Sequence, residues 1–89
     1  MSPEIMRKQC LDMIERIFDS GKDMYYPVAE GTRNILLCGS AEDYVMSTDF
    51  GPKTFDDASD VLDALLDVER LQGETDALSA VNESLRFLV

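Results

Sequence analysis

The chain has 89 residues, 45% of them hydrophobic, which suits one small domain with a core and excludes a disordered acidic tail. Lys and Arg number 8 against 18 Asp and Glu, a net charge of −10, where a small domain more usually lies within about 2 to 8 of zero. Such a field repels nucleic acid and anionic lipid and attracts basic surfaces, so neither direct nucleic-acid binding nor membrane attachment is expected.

Residues 4–19 read as a first helix. Ile5, Met6, Cys10, Met13, Ile14, Ile17 and Phe18 share one broad face. Ser2 suits the N-cap, Pro3 the first helical position, and Gly21 the stop. Its charges are mixed, which marks it as a packing element. The start MSPEIMRKQC lacks the apolar run of a signal peptide, and no run approaches the roughly 20 apolar residues of a membrane span.

Residues 24–50 change character. MYYPVA, NILLC and DYVMSTDF are short, rich in β-branched and aromatic residues, and separated by turn signals. EGT at 30–32 fits one hairpin loop and GSAED at 39–43 a second, giving three strands in an antiparallel meander. Pro27 places the first strand at an edge. On the second strand Leu36 and Cys38 share one face, Ile35 and Leu37 the other. Both faces are apolar, so either could meet the helices. GPK at 51–53 is expected to end the sheet.

A second helix is expected over residues 55–72, with Thr54 and Asp57 as a capping pair and Gly73 as the break. A third is expected over 76–88, capped by Thr75, with Leu78, Val81, Leu85 and Leu88 on its inner face. The expected fold is therefore α+β: a small single domain over 1–89, with a three-stranded antiparallel sheet packed with three helices in the order α-β-β-β-α-α. Leu62 and Leu66 widen the apolar face of the second helix enough for a core or a dimer seam, which leaves monomer and homodimer open.

The charge is concentrated. Residues 42–76 hold 11 acids against Lys53 and Arg70, while the remainder is nearly balanced. At helical pitch, Asp56, Asp60, Asp63 and Asp67 fall in a stripe about 60° wide, opposite Val61, Leu65 and Val68. Their repeat of about 5 to 6 Å is on the order of the phosphate spacing along a DNA strand. Asp57, Asp49, Glu42 and Asp43 could widen the stripe into a patch, with Tyr44 and its neighbours Tyr25 and Tyr26 at the rim. Like charges four apart and Asp in place of Glu each cost a helix a few tenths of a kcal/mol. Only Arg70 lies near enough in sequence to relieve the stripe. An arrangement that disfavours its own helix suggests an external use. Its plain alternative is a solvated face.

Other chemistry is poorly served. With no histidine, Ser-His and Cys-His nucleophile systems are excluded, and no enzyme is expected. Cys10 and Cys38 have no CxxC spacing, so no metal, redox pair or cofactor is expected, and a reduced, cytoplasmic setting is the simpler reading.

The layout, the meander NILLCGSAEDYVMSTDF and the acidic run FDDASDVLDALLDVE together resemble the small phage-encoded anti-CRISPR proteins that act as DNA mimics. The resemblance covers nearly the whole chain and lies in layout and charge; no shared motif carries it. It implies a stoichiometric inhibitor, in the host-cell cytoplasm, that occupies the PAM-reading or duplex groove of a CRISPR-Cas effector. Asp49, Asp56, Asp60, Asp63 and Asp67 would stand in for phosphates or base-edge acceptors. Two other readings stay open. One is an acidic immunity or antitoxin-like protein that blocks a basic nuclease. The other is an adaptor whose binding surface lies elsewhere, for example at Phe87, Leu88 and Val89.

Overall fold

The computed structural model describes residues 1–28, 34–40 and 42–89. The elements are α1 (Pro3–Asp19), β1 (Met24–Tyr26), β2 (Ile35–Gly39), β3 (Tyr44–Thr48), β4 (Gly51–Phe55), α2 (Ala58–Leu71) and α3 (Ala77–Arg86). The protein is a small α+β domain: a four-stranded antiparallel sheet in the order β1-β2-β3-β4, with three helices.

Helix α1 begins where its sequence says it should. The Ser2 hydroxyl accepts a hydrogen bond from the Ile5 N–H at 3.3 Å, and Pro3 opens the helix. Past the end, Gly21 takes a φ of +70°, a conformation other residues resist. The helix buries Cys10, Met13, Ile14, Ile17 and Phe18, whereas Ile5 stays 55% exposed.

The sheet has one strand more than expected. Residues 51–53 do not end it; they open β4, which pairs with β3 from Thr48↔Gly51 to Tyr44↔Phe55. Asp49 and Phe50 form the turn, the Thr48 hydroxyl accepts from the Phe50 N–H at 3.2 Å, and Gly51 takes a φ of +106°. A glycine with positive φ after a tight turn is a recurrent way to start a returning strand. Gly51 and Pro52, read as breakers, are thus a turn glycine and an edge-strand proline. Proline tolerates an edge because it has no N–H to offer a further strand. Strand β1 forms the other edge and stops at Tyr26, before Pro27.

The β2–β3 hairpin closes as the GSAED segment implies, although Ala41 lies outside the described residues. Ser40 and Asp43 exchange backbone bonds of 3.0 and 3.2 Å, and the Ser40 hydroxyl accepts from the N–H groups of Glu42 and Asp43. Gly39 is required here: its φ is +112°, and a Cβ would sit 2.1 Å from the Asp43 carbonyl oxygen. The expected loop at 30–32 lies outside the described residues.

The register settles which face is inside. Ile35 and Leu37 of β2 and Tyr44 and Met46 of β3 are buried against the helices, while Leu36, Cys38, Val45 and Ser47 are half-buried on the uncovered face.

The second and third helices start later than expected. Phe55 is held in β4 opposite Tyr44, so Thr54 is a strand residue and Asp57 is the N-cap of α2, accepting from the Asp60 N–H at 3.0 Å. Asp76, not Thr75, caps α3, accepting from the Ser79 N–H and hydroxyl, and these bonds hold its carboxyl below the usual carboxylate range. Asp generally outranks Thr at this position, because its side-chain oxygen reaches the orphan N–H groups and its charge suits the helix dipole. Leu62 and Leu66 are buried within the one chain, with Val61, Leu65, Val81 and Leu85, so they serve the core. Among the described residues no helix is long and apolar enough to cross a membrane.

A buried polar bond ties the sheet to α2. The Tyr26 hydroxyl donates to Glu69 Oε1 at 2.6 Å, and the two residues are 2% and 5% exposed. Glu69 lies on the inner face of α2, among leucines, where a carboxylate needs a donor.

Two outcomes follow from this packing. Gly39→Ala should cost more than about 1 kcal/mol in denaturant unfolding, because both φ and space oppose the methyl group. Tyr26→Phe should cost about 1 to 3 kcal/mol by leaving the Glu69 carboxyl without its donor, and adding Glu69→Met should recover most of that loss. Burial, then the bond to Glu69, push the Tyr26 phenol up from its ordinary value of 10.0. The unfolded chain loses this proton first and so binds fewer protons, which makes stability fall as pH rises past about 10. Unfolding midpoints between about pH 8 and 11 should show that fall, and a shallower one in Tyr26→Phe. The remaining slope belongs to Tyr44, Cys10 and Cys38, whose protons burial also retains.

Candidate functional site

The acidic ridge on α2 is shorter than its sequence pattern. Asp56 precedes the N-cap and lies outside the helix, and Asp57 is the cap itself. Asp60, Asp63 and Asp67 remain, all exposed, opposite the buried Val61, Leu62, Leu65, Leu66 and Glu69. From Asp60 to Asp67 the ridge spans about 10 Å of helix. The even spacing expected of four carboxylates is lost, because Phe55 pairs with Tyr44 and keeps the chain extended up to Asp56.

Two arginines sit within the ridge. Arg70 Nη1 lies 3.0 Å from Asp67 Oδ1, the pairing its spacing suggested. The other, Arg7 of α1, is 56 positions from its partner in sequence: its Nη2 lies 3.7 Å from Asp63 Oδ1 and donates to the Ser59 hydroxyl at 3.0 Å. Both pairs are exposed and add little stability. Their consequence is the surface pattern, in which carboxylates alternate with guanidinium groups. Among the described residues no Lys or Arg lies within ion-pair distance of Asp56 or Asp60.

A second group of acids lies on α1. Asp12, Glu15 and Asp19 are exposed and recur at 3-4 spacing, within about 60° of the helix circumference. With Arg16 and Tyr44 they line an open cleft of about 540 Å³. Tyr44 is not a rim residue. It is 8% exposed, and its ring stands edge-on to Phe18 at 5.0 Å. It nonetheless forms part of the cleft wall. There the phenol is pushed up, first by burial and then by the negative charges of Glu15, Asp57 and Asp19. Carboxylates of α1 and the N-cap of α2 thus both act on this phenol through their charge. Asp57 also caps the helix that carries the ridge.

The other expected site residues divide between the two ends of β3. Glu42 and Asp43 belong to the β2–β3 hairpin and Asp49 to the turn after β3, at opposite ends of that strand and on the order of 20 Å apart. They are exposed; the pairing of Tyr44 with Phe55 puts Glu42 and Asp43 at the end of β3 that adjoins Asp56 and the start of α2, and leaves Asp49 at the far end. Of the three tyrosines, Tyr25 alone is exposed, at 64%.

The α1 acids carried the same 3-4 signal that marked α2. They were hidden by a charge-balanced segment and by an apolar face strong enough to explain the helix alone. The thiols are not poised to react. Burial pushes the Cys10 thiol up, with the Asn82 amide 3.6 Å away, and Cys38 is raised by burial and by Asp23. A raised thiol stays protonated and is a poor nucleophile. Among the described residues no group of three or more ligating side chains could hold a metal ion.

No protein-family model, no curated protein and no solved structure matches this chain.

Proposed function

We propose that the protein is a non-catalytic, stoichiometric inhibitor that lays its acidic helical surface into the nucleic-acid groove of a basic protein. The observation that carries this reading is the pair of exposed carboxylate rows, Asp12, Glu15 and Asp19 on α1 and Asp60, Asp63 and Asp67 on α2. A groove that holds nucleic acid crowds its own positive charges, and a folded acidic surface relieves that repulsion without the entropy cost of ordering a flexible chain. Opposite charge also speeds encounter, which suits an inhibitor competing with DNA. The resemblance in layout and charge to DNA-mimic anti-CRISPR proteins favours a CRISPR-Cas effector as the partner.

The test is competition. Fluorescence anisotropy of labelled duplex bound to an effector should fall as the protein is added, at about one protein per effector, and the effect should weaken as salt rises. The folded Asp60→Asn, Asp63→Asn, Asp67→Asn variant should compete about tenfold less well or worse. Equal competition by that variant, or none by the parent with any effector, sinks the reading. Displacement from a basic nuclease but from no effector would move the partner to that class.

A further inference from the structure

The α2 ridge borders a groove of another character. Between β4, an edge of the sheet, and α2 runs an open groove of about 440 Å³. Met46, Phe50 and Phe55 line it from the sheet, and Ala64 and Val68 from α2. The register puts Lys53 and Phe55 on the same face as Met46 and Tyr44, the face that meets the helices, so β4 opens toward α2. Among the described residues no acid lines this groove, in a chain that holds 18. Its one charged residue, Lys53, lies over the Phe55 ring at 5.3 Å. Phe50 is 86% exposed at one end, and Leu71, one turn past Val68 on α2, is 89% exposed. Single exposed apolar residues are ordinary, whereas apolar side chains gathered about a groove mark an interaction surface. Carboxylates flank the α2 wall: Asp60 and Asp67 stand one helical turn to either side of Ala64.

We propose that this groove receives an amphipathic helix of the basic partner, its apolar side chains seated between β4 and α2 and its arginines or lysines set against Asp60 and Asp67. The inference rests on the reading of the chain as a ligand for a basic protein, and it names the element of that partner that is gripped. Charge selects the occupant. A second copy of this chain, with its own net charge of −10, would bring carboxylates against the same ridge. An added strand is disfavoured, because β4 is the edge it would join and Pro52 has no N–H to offer it. A helix needs no backbone partner and enters a groove through apolar side chains at i, i+4 and i+7. A volume of about 440 Å³ takes those side chains, with the helix backbone resting on the rim. Lys53 on the β4 wall sets the orientation, since it turns the cationic flank of the helix toward α2. The division of labour is that of other interfaces: charges at the rim speed arrival, and apolar anchors in the groove slow departure.

The experiment titrates the whole protein with a capped, stapled helical peptide about three turns long, following backbone amide signals by NMR. The peptide carries Leu at i, i+4 and i+7 and Arg beside them on one flank. It should bind saturably and shift the amides of Phe55, Ala64 and Val68. Twin peptides with Glu for Arg, or with Ala for Leu, should each bind about tenfold more weakly or worse. Phe50→Ser and Asp60→Asn should each weaken the Leu-Arg peptide about threefold or more, and both positions are exposed, so the core is untouched. Glu83→Gln, on α3, should bind it as the parent protein does. No binding, equal binding of the Leu and Ala peptides, or shifts confined to the α1 carboxylates would overturn the proposal. So would shifts of the same amides with protein concentration and no peptide, which would give the groove to a second copy. The two readings fail separately. Capture of the helix without competition against DNA would leave the groove standing and remove the inhibitor, and competition unaffected by Phe50→Ser would do the reverse.

Discussion

The hydrogen bond from Tyr26 to Glu69 is the constraint on which the arrangement of charge depends. Strand β1 is three residues long and lies at an edge, with β2 as its one partner strand. Its last residue reaches across the core to the final turns of α2. This contact requires Glu69 to point inward, and the rotation of α2 follows from it. With Glu69, Leu65 and Leu62 inside, helical geometry places Asp60, Asp63 and Asp67 outside. One carboxylate of the most acidic segment is thus spent on the interior. It is satisfied there by a phenol, so no second buried charge is needed, and a buried ion pair would have carried its own desolvation penalty.

The remaining acids disfavour compactness in a domain with a net charge of −10. The fold lessens this by giving several of them local work. Asp57 and Asp76 cap helices, and Glu4 and Asp60 occupy first turns, where the helix dipole favours negative charge. The cations are spread to match: Arg7 reaches from α1 to α2, and Arg70 returns one helical turn to Asp67. Exposed pairs of this kind contribute little individually, so stability rests on the apolar core between sheet and helices.

Much of the fold was legible because its signals are local. Ser2, Pro3 and Gly21 delimit α1 through backbone chemistry within a few residues, and the apolar face of α2 follows from its period. The face of β2 was not legible, since Ile35, Leu36, Leu37 and Cys38 are all apolar and only the packing of helices on one side distinguishes them. Strand β4 was missed because Gly51 and Pro52 do end strands in most settings. What reverses that meaning is pairing with β3, which is non-local information. The same pairing removed Asp56 from the helix and moved the cap from Thr54 to Asp57. In the candidate site, the exposure of Asp60, Asp63 and Asp67 could be read from spacing. Arg7 beside Asp63, Tyr44 in the cleft with the α1 acids, and Glu69 in the core could not, because each joins residues far apart in the chain.

The interleaved arginines change what the acidic surface can be. An uninterrupted row of carboxylates would attract any basic surface in proportion to charge, much as the backbone of DNA does. A row in which Arg7, Arg16 and Arg70 alternate with acids repels a partner whose lysines and arginines fall at the wrong positions, so it gains discrimination through misplaced like charges. Short Asp side chains reinforce this. They have less rotamer freedom to lose than Glu and keep each charge near the backbone that places it. Under the proposed inhibitor reading, the pattern would suit one groove better than basic grooves in general, with net charge governing how fast a partner arrives more than which partner stays.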